Sequence, residues 1–212
     1  MKDPIIITGI PRSGTSMIAE IFDICNVFLG PVDKRFENIQ IKHSLIKPYL
    51  ANYGIDILGQ RIRYETKDLH ILKNWKEDVE DMIVGQGYYD GNWVIKSNLV
   101  IPMWPVWYHA FPNAKYIIVR RRTGDIVNSC MKTGYMKAYN DRDGWIHMCR
   151  QYIERMAEMA ETIPNHKIIW PHRMAYGDYS QVWDILEWTG VPWKTDILNK
   201  IDPKFLKIRK NH

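Results

Sequence analysis

Residues 5–16 read Ile5-Ile6-Ile7-Thr8-Gly9-Ile10-Pro11-Arg12-Ser13-Gly14-Thr15-Ser16. The run over 4–8 is continuously apolar and β-branched, as in a strand buried on both faces of a parallel sheet. From Gly14 to about Phe28, the residues Met17, Ile18, Ile21, Phe22, Ile24 and Cys25 recur at helical spacing. A strand, a glycine turn and a helix opening in that order aim backbone N–H groups at one point. The positive end of the helix dipole is added there, which makes an anion cradle. Gly9 and Gly14 permit the close approach such a cradle needs, and Ser13, Thr15 and Ser16 add hydroxyls. A plain strand-to-helix turn shares the glycine spacing, but the flanking strand and helix favour a phosphate.

The cradle departs from that of ATP and GTP enzymes. Their lysine after the second glycine reaches the β- and γ-phosphates, and a strand-end Asp helps hold magnesium. Here Thr15 takes the lysine's place, Arg12 stands inside the loop, and the strand Lys115–Arg120 runs on into further arginines. The pattern points to a 5′-phosphate without a metal-bridged polyphosphate. A second constellation lies in Arg121-Arg122-Thr123-Gly124-Asp125-Ile126-Val127-Asn128-Ser129. Arg121 closes the strand and Ser129 falls in the early turns of the next helix, so both can face the crevice where open α/β sheets bind ligands. A guanidinium and a hydroxyl so placed suit a second phosphate; taken alone they are equally surface arginines and an ordinary helix serine.

The rest of the chain fits one domain. Its 212 residues, 46% apolar and 25% charged, are enough for a buried core. Helical segments are expected over Asn38–Tyr53, Lys67–Val84 and Val100–Ala110, the last with an irregular start at Pro102 and Pro105. Others follow from about Asp125, over Gly144–Thr162, and from an Asp178 cap to Gly190. Strands are expected at Trp93–Ile95, ending in Lys96 and Ser97, and at 167–170. The alternation predicts an α/β fold: a three-layer arrangement with a mostly parallel central sheet flanked by helices. Trp145, Met148, Tyr152, Met156 and Met159 form a stripe that reads as core. Most of the nine tryptophans read as core or pocket lining.

The net charge of +5 welcomes anions without naming them. The basic residues are dispersed and no nucleic-acid reader motif is present, so nucleic acid is not the expected partner. Cys25, Cys130 and Cys149 are odd in number and widely spaced, the pattern of buried free thiols, and no metal-ligand spacing occurs. No apolar run approaches the roughly 20 residues of a membrane span. Met1 leads directly into a strand, leaving no signal peptide, so a reducing, cytoplasmic setting is expected.

Together, Gly9–Ser16 and Arg121–Ser129 resemble the two phosphate motifs of the sulfotransferases that use 3′-phosphoadenosine 5′-phosphosulfate (PAPS). The resemblance covers the first 25 or so residues and 93–130, with Phe111–Arg121 adding to it. It implies a P-loop-type fold and metal-free transfer of a sulfuryl group to a hydroxyl or amine, leaving 3′,5′-ADP. Arg12, Ser13, Gly14, Thr15 and Ser16 would hold the 5′-phosphosulfate, and Arg121 and Ser129 the 3′-phosphate. Arg12 stands where the family carries its catalytic Lys or Arg. Lys96 matches a lysine near the transferring group, though it is equally a solvent-facing strand end.

Many members place a histidine two residues after that lysine; here Asn98 stands there and is left an orienting role. Glu37, in Arg35-Phe36-Glu37-Asn38, matches a glutamate base of other members, and is equally a first-turn glutamate supporting a helix. His43 and His109 are lesser candidates for the base. Tyr176 and Asp178 match a position read as structural, and Arg209 and Lys210 could close over the 3′-phosphate. The acceptor would sit among 30–70 and 132–145, where small molecules, sugars and peptides fit the composition alike. A P-loop kinase and a basic nucleic-acid-binding domain are the competing readings, the first disfavoured by Thr15.

Overall fold

A computed structural model describes residues 1–62 and 65–200. The expected closing segment with Arg209 and Lys210 lies outside the described residues. Four parallel strands form one sheet: β1 (Ile5–Gly9), β2 (Val94–Lys96), β3 (Lys115–Val119) and β4 (His166–Ile169), in the order β2-β1-β3-β4. Because the side-chain period of a strand is two, alternate residues face opposite layers. Ile6, Ile95, Tyr116 and Ile118 enter one buried cluster, and Ile5, Ile7, Val94, Ile117 and Val119 enter the other. Both faces of β1 and β3 are apolar, which is why these two strands read as hydrophobic runs, whereas the edge strand β4 is only partly buried.

One layer carries α1 (Thr15–Ile24), α7 (Ser180–Thr189) and α8 (Asp196–Lys200). The other carries α2 (Lys47–Asn52), α3 (Trp75–Gly85), α4 (Trp104–Ala110), α5 (Thr123–Met131) and α6 (Arg142–Thr162). The α6 stripe of Trp145, Met148, Tyr152, Met156 and Met159 is buried, and the three cysteines are buried and free. Burial pushes the Cys130 thiol up to about 11, the direction of an inert packing residue.

Several boundaries differ from the sequence expectation. α1 stops at Ile24 because Asn26 takes a left-handed φ of 62°, and Val27 N–H bonds to the Phe22 carbonyl, a Schellman ending. The helix expected over Asn38–Tyr53 opens as a π-helical turn, Ile41–Ile46, before α2. Pro48 accounts for the widening, since it has no N–H for the carbonyl four residues back and its ring would press on it. α3 begins at Trp75 rather than Lys67: Tyr49 Oη donates to the His70 carbonyl and Leu69 is drawn into the core. α5 begins at Thr123, ahead of Asp125. The irregular start before α4 is a 3₁₀ segment, Asn98–Met103. The N-cap of α7 is Tyr179 rather than the expected Asp178, which stands one residue earlier and accepts the Ser180 N–H; Gly190 ends the helix at φ 73°.

The register brings the functional stretches to one edge. Gly9 pairs with Val119 and Val119 with Ile169, so β1, β3 and β4 finish together, while β2 ends two residues short of them with Lys96 beside Ile7. The chain leaves β1 toward β2 on one side, while β3 lies on the other, a topological switch point above which open sheets bind ligands. Gly9 is confined there: a Cβ would sit 2.5 Å from the Val119 carbonyl oxygen and 2.7 Å from Ser13 Oγ. Any side chain would push β1 from β3, an overpacking cost of about 1–3 kcal/mol.

Candidate active site

The loop after β1 is strained where its chemistry sits. Arg12 holds a left-handed φ of 75° and Gly14 a φ of 104°, the first unusual for a side chain of that size. Gly14 caps α1 with no side-chain bond to the helix end. The first turn of α1 therefore keeps N–H groups without intrahelical partners. Ser13 is only 1% exposed, and its Oγ has no hydrogen-bond partner. A buried hydroxyl left unpaired costs about 1–3 kcal/mol, so an anion at this point would satisfy a group the fold leaves open.

The two expected phosphate motifs meet. Arg121 Nη1 donates to the Arg12 carbonyl at 3.1 Å, and Arg12 Nε donates to Ser129 Oγ at 2.9 Å. Ser129 thus serves as acceptor, and its own proton stays available to an anion. Arg12 Nη1 reaches Tyr135 Oη at 3.1 Å. Burial draws Arg121 below the ordinary arginine value, with Asp125 opposing and Arg12 adding to it. Among the described residues no carboxylate forms an ion pair with Arg12, Arg35 or Arg121. Beside them a cavity of about 290 Å³ is lined by Ile10, Arg120, Arg121, Arg122, Met156 and Trp170. The Arg120 guanidinium lies 5.4 Å from the Trp170 ring centre.

Thr15 and Ser16 play a different part. Thr15 Oγ1 donates to Asn98 Oδ1 at 2.9 Å, and Ser16 Oγ to the Arg35 carbonyl at 3.1 Å. Their hydroxyl protons brace the loop against the end of β2 and against residues 33–38, leaving their backbone N–H groups to face a ligand. Asn98 is thereby fixed as a brace of the loop.

The second cluster corrects the solvent-facing alternative for Lys96. Lys96 is 4% exposed, and its Nζ lies 3.0 Å from Glu37 Oε1. Lys42 Nζ sits 2.5 Å from Glu37 Oε2 and 2.8 Å from Asp33 Oδ2. The other Asp33 oxygen accepts the N–H groups of Arg35 and Glu37, closing the turn that carries the glutamate. Phe36 within that turn has a φ of 59°, so strained backbone flanks the cleft on both sides. Glu37 is not an exposed first-turn residue: it is 9% exposed and precedes the helical segment. Burial alone would raise its carboxyl, but Lys96 and Lys42 outweigh burial and hold it below the ordinary glutamate value. Burial draws the Lys96 ammonium below its ordinary value even with Glu37 beside it. His43 and His109 are exposed. Asp178 pairs with Arg173, and Tyr176 is exposed.

Lys42, Asp33, Arg35 and Tyr135 were not legible as site residues. Asp33, Arg35 and Lys42 flank Glu37 and Tyr135 lies in an expected acceptor stretch, but none has a spacing of its own that marks it as a site residue. The expected acceptor stretches also meet: Gln60 Oε1 accepts the N–H groups of Lys137 and Ala138, and its Nε2 donates to the Tyr135 carbonyl. Between them runs a groove of about 480 Å³, lined by Tyr53, Leu58, Gln60, Arg61, Lys137 and Ala138. No three His, Cys, Asp or Glu side chains among the described residues gather as metal ligands, and no described helix is long and apolar enough to cross a membrane.

No family model and no curated protein matches the sequence. Solved structures do match its fold. Similar to it is the sulfotransferase domain of the curacin biosynthetic pathway, at 14% identity and a TM-score of 0.65, over 95% of this chain and 78% of that one. The sulfotransferase domain of the Synechococcus olefin synthase matches at 15% identity and a TM-score of 0.64, over 98% and 81%. A sulfotransferase of Mycobacterium tuberculosis matches at 13% identity and a TM-score of 0.51, over 95% and 72%. The chain has the sulfotransferase fold.

Proposed function

We propose that this chain is a sulfotransferase, moving a sulfuryl group from PAPS to a hydroxyl or amine acceptor without a metal ion. The observation that carries the reading is the meeting of Arg121 and Ser129 on Arg12, across 109 and 117 residues of sequence. It sets a guanidinium and a hydroxyl beside a loop that already holds an orphaned, buried Ser13 Oγ. Those groups fit a nucleotide phosphorylated at both ends.

The donor supplies a sulfuryl group whose leaving group is a phosphate. The chain's residues supply position and charge. Ser13 and the N–H groups opening α1 hold the 5′-phosphate, and Arg121 and Ser129 hold the 3′-phosphate. Arg12 places positive charge where the S–O bond breaks and its electron pair stays with the leaving phosphate. Lys96 stabilises charge on the equatorial oxygens of a loose, in-line transition state. Glu37 takes the proton of the acceptor as its oxygen or nitrogen bonds to sulfur. The groove between 53–61 and 137–138 is the acceptor's place, near enough to share the Tyr135 loop with Arg12.

The test uses the purified chain, PAPS labelled on sulfur, EDTA, and a panel of phenols, sugars, tyrosyl peptides and amines. Label passing to an acceptor with release of 3′,5′-ADP is the expected result. Transfer of phosphate from magnesium-ATP, with no use of PAPS, would replace the proposal with a kinase.

A further inference from the structure

Arg35 stands two residues before Glu37 with no sequence signal of its own, yet the fold carries it into the site. Its carbonyl accepts Ser16 Oγ at 3.1 Å, which ties its backbone to the first turn of α1. Its amide is held by Asp33 Oδ1 at 2.8 Å. The side chain is half-buried, and its guanidinium carbon lies 3.8 Å from the centre of the Tyr135 ring. The hydroxyl of that tyrosine is the partner of Arg12 Nη1. Two guanidinium groups therefore gather on one tyrosine. Like charges so placed repel, and no carboxylate among the described residues forms an ion pair with either.

The other half of the site is arranged differently. Lys96 and Lys42 share the carboxylates of Glu37 and Asp33, so charge there is balanced within the protein. On the Arg12–Arg35 side it is not. A guanidinium stacked on an aromatic face keeps its in-plane N–H donors for a planar or tetrahedral oxyanion.

We propose that Arg35, held over the Tyr135 ring, is a further binding residue for the sulfuryl group of the donor, its N–H groups meeting sulfuryl oxygens beside Arg12. The proposal rests on the PAPS reading of the site. Arg35 is assigned to the sulfuryl group because Ser16 fixes it beside the α1 end of the cradle. The 3′-phosphate belongs to Arg121 and Ser129, which meet Arg12 at its carbonyl oxygen and its Nε rather than at the Nη1 that reaches Tyr135.

The donor and its product separate this role from others, because 3′,5′-ADP has both phosphates and lacks the sulfuryl group. The experiment measures dissociation constants of PAPS and 3′,5′-ADP for the wild type and for Arg35→Ala, by calorimetry with no acceptor present. Deleting one charge-assisted contact of about 1.5–3 kcal/mol corresponds to roughly ten- to a hundredfold in affinity. Arg35→Ala should lose that factor for PAPS while binding 3′,5′-ADP as the wild type does, which also reports an intact fold. Arg35→Lys, retaining charge without the planar fork, should recover part of the loss. Equal weakening of both ligands, or unchanged PAPS affinity with a raised acceptor KM, would overturn the assignment. A wild type that binds neither nucleotide would instead overturn the PAPS reading itself.

Discussion

Arg12→Ala should lower kcat for sulfuryl transfer on the order of a thousandfold, the upper range for removing one preorganised charge from a developing oxyanion. Arg12 is built for one conformation. Its backbone is strained to φ 75°, its carbonyl is pinned by Arg121, and its guanidinium donates from Nε to Ser129 Oγ and from Nη1 to Tyr135 Oη. A residue held this firmly is preorganised, so little reorganisation accompanies the reaction. Alanine removes the charge and leaves the loop's backbone contacts in place. Binding of 3′,5′-ADP should weaken, since its 5′-phosphate loses the Arg12 charge, while circular dichroism and the melting temperature should report an intact fold. Lysine at this position cannot span Ser129 and Tyr135 together, so Arg12→Lys should recover only part of the rate. Near-normal turnover in Arg12→Ala would remove Arg12 from the chemistry.

Glu37→Gln should cost at least about a hundredfold in kcat if its carboxylate takes the acceptor's proton. The variant must be read with its structural consequence in view. Deleting one partner of a buried ion pair costs about 3–5 kcal/mol, and less when an amide oxygen still faces Lys96. Rates should therefore be normalised to the fraction of chains that bind 3′,5′-ADP. The pH dependence gives an independent reading. The Glu37 carboxyl is pushed up by burial but held lower still by Lys96 and Lys42, with a net depression. Its contribution to stability is then fully present above its unfolded value of about 4.3 and is lost as pH falls through the lower folded value. The carboxylate is consequently ready as a base throughout neutral pH. The acid fall of kcat should lie at or below the ordinary glutamate range, and Glu37→Gln should abolish that limb. A normal rate per binding site in the variant would return the base to another residue.

What could be seen in the sequence follows from how local each cause is. β1, β3 and the opening of α1 were legible because a doubly buried strand must be apolar along its whole length, and a phosphate loop is punctuated by fixed glycines. The union of Arg12 with Arg121 and Ser129 was legible as well, because the switch point of a parallel sheet brings the ends of β1 and β3 together. Pro48 was visible, but not its outcome as a π-helical turn, since the register depends on how Ile41 and Ile46 pack. The burial of Lys96 could not be read, because the carboxylate that permits it comes from Glu37, 59 residues away. Arg35 and Tyr135 escaped for the same reason. Neither has a spacing of its own, and they meet only after Gln60 ties the 135–138 loop in place.

On this reading one nucleotide is held at both ends, by the loop after β1 and by Arg121 with Ser129. Calorimetric titration of the wild type with 3′,5′-ADP and with 5′-AMP, in EDTA, tests it most directly. 3′,5′-ADP should bind roughly ten- to a hundredfold more tightly, the equivalent of one charge-assisted contact to the 3′-phosphate. Equal affinity for the two nucleotides would contradict it.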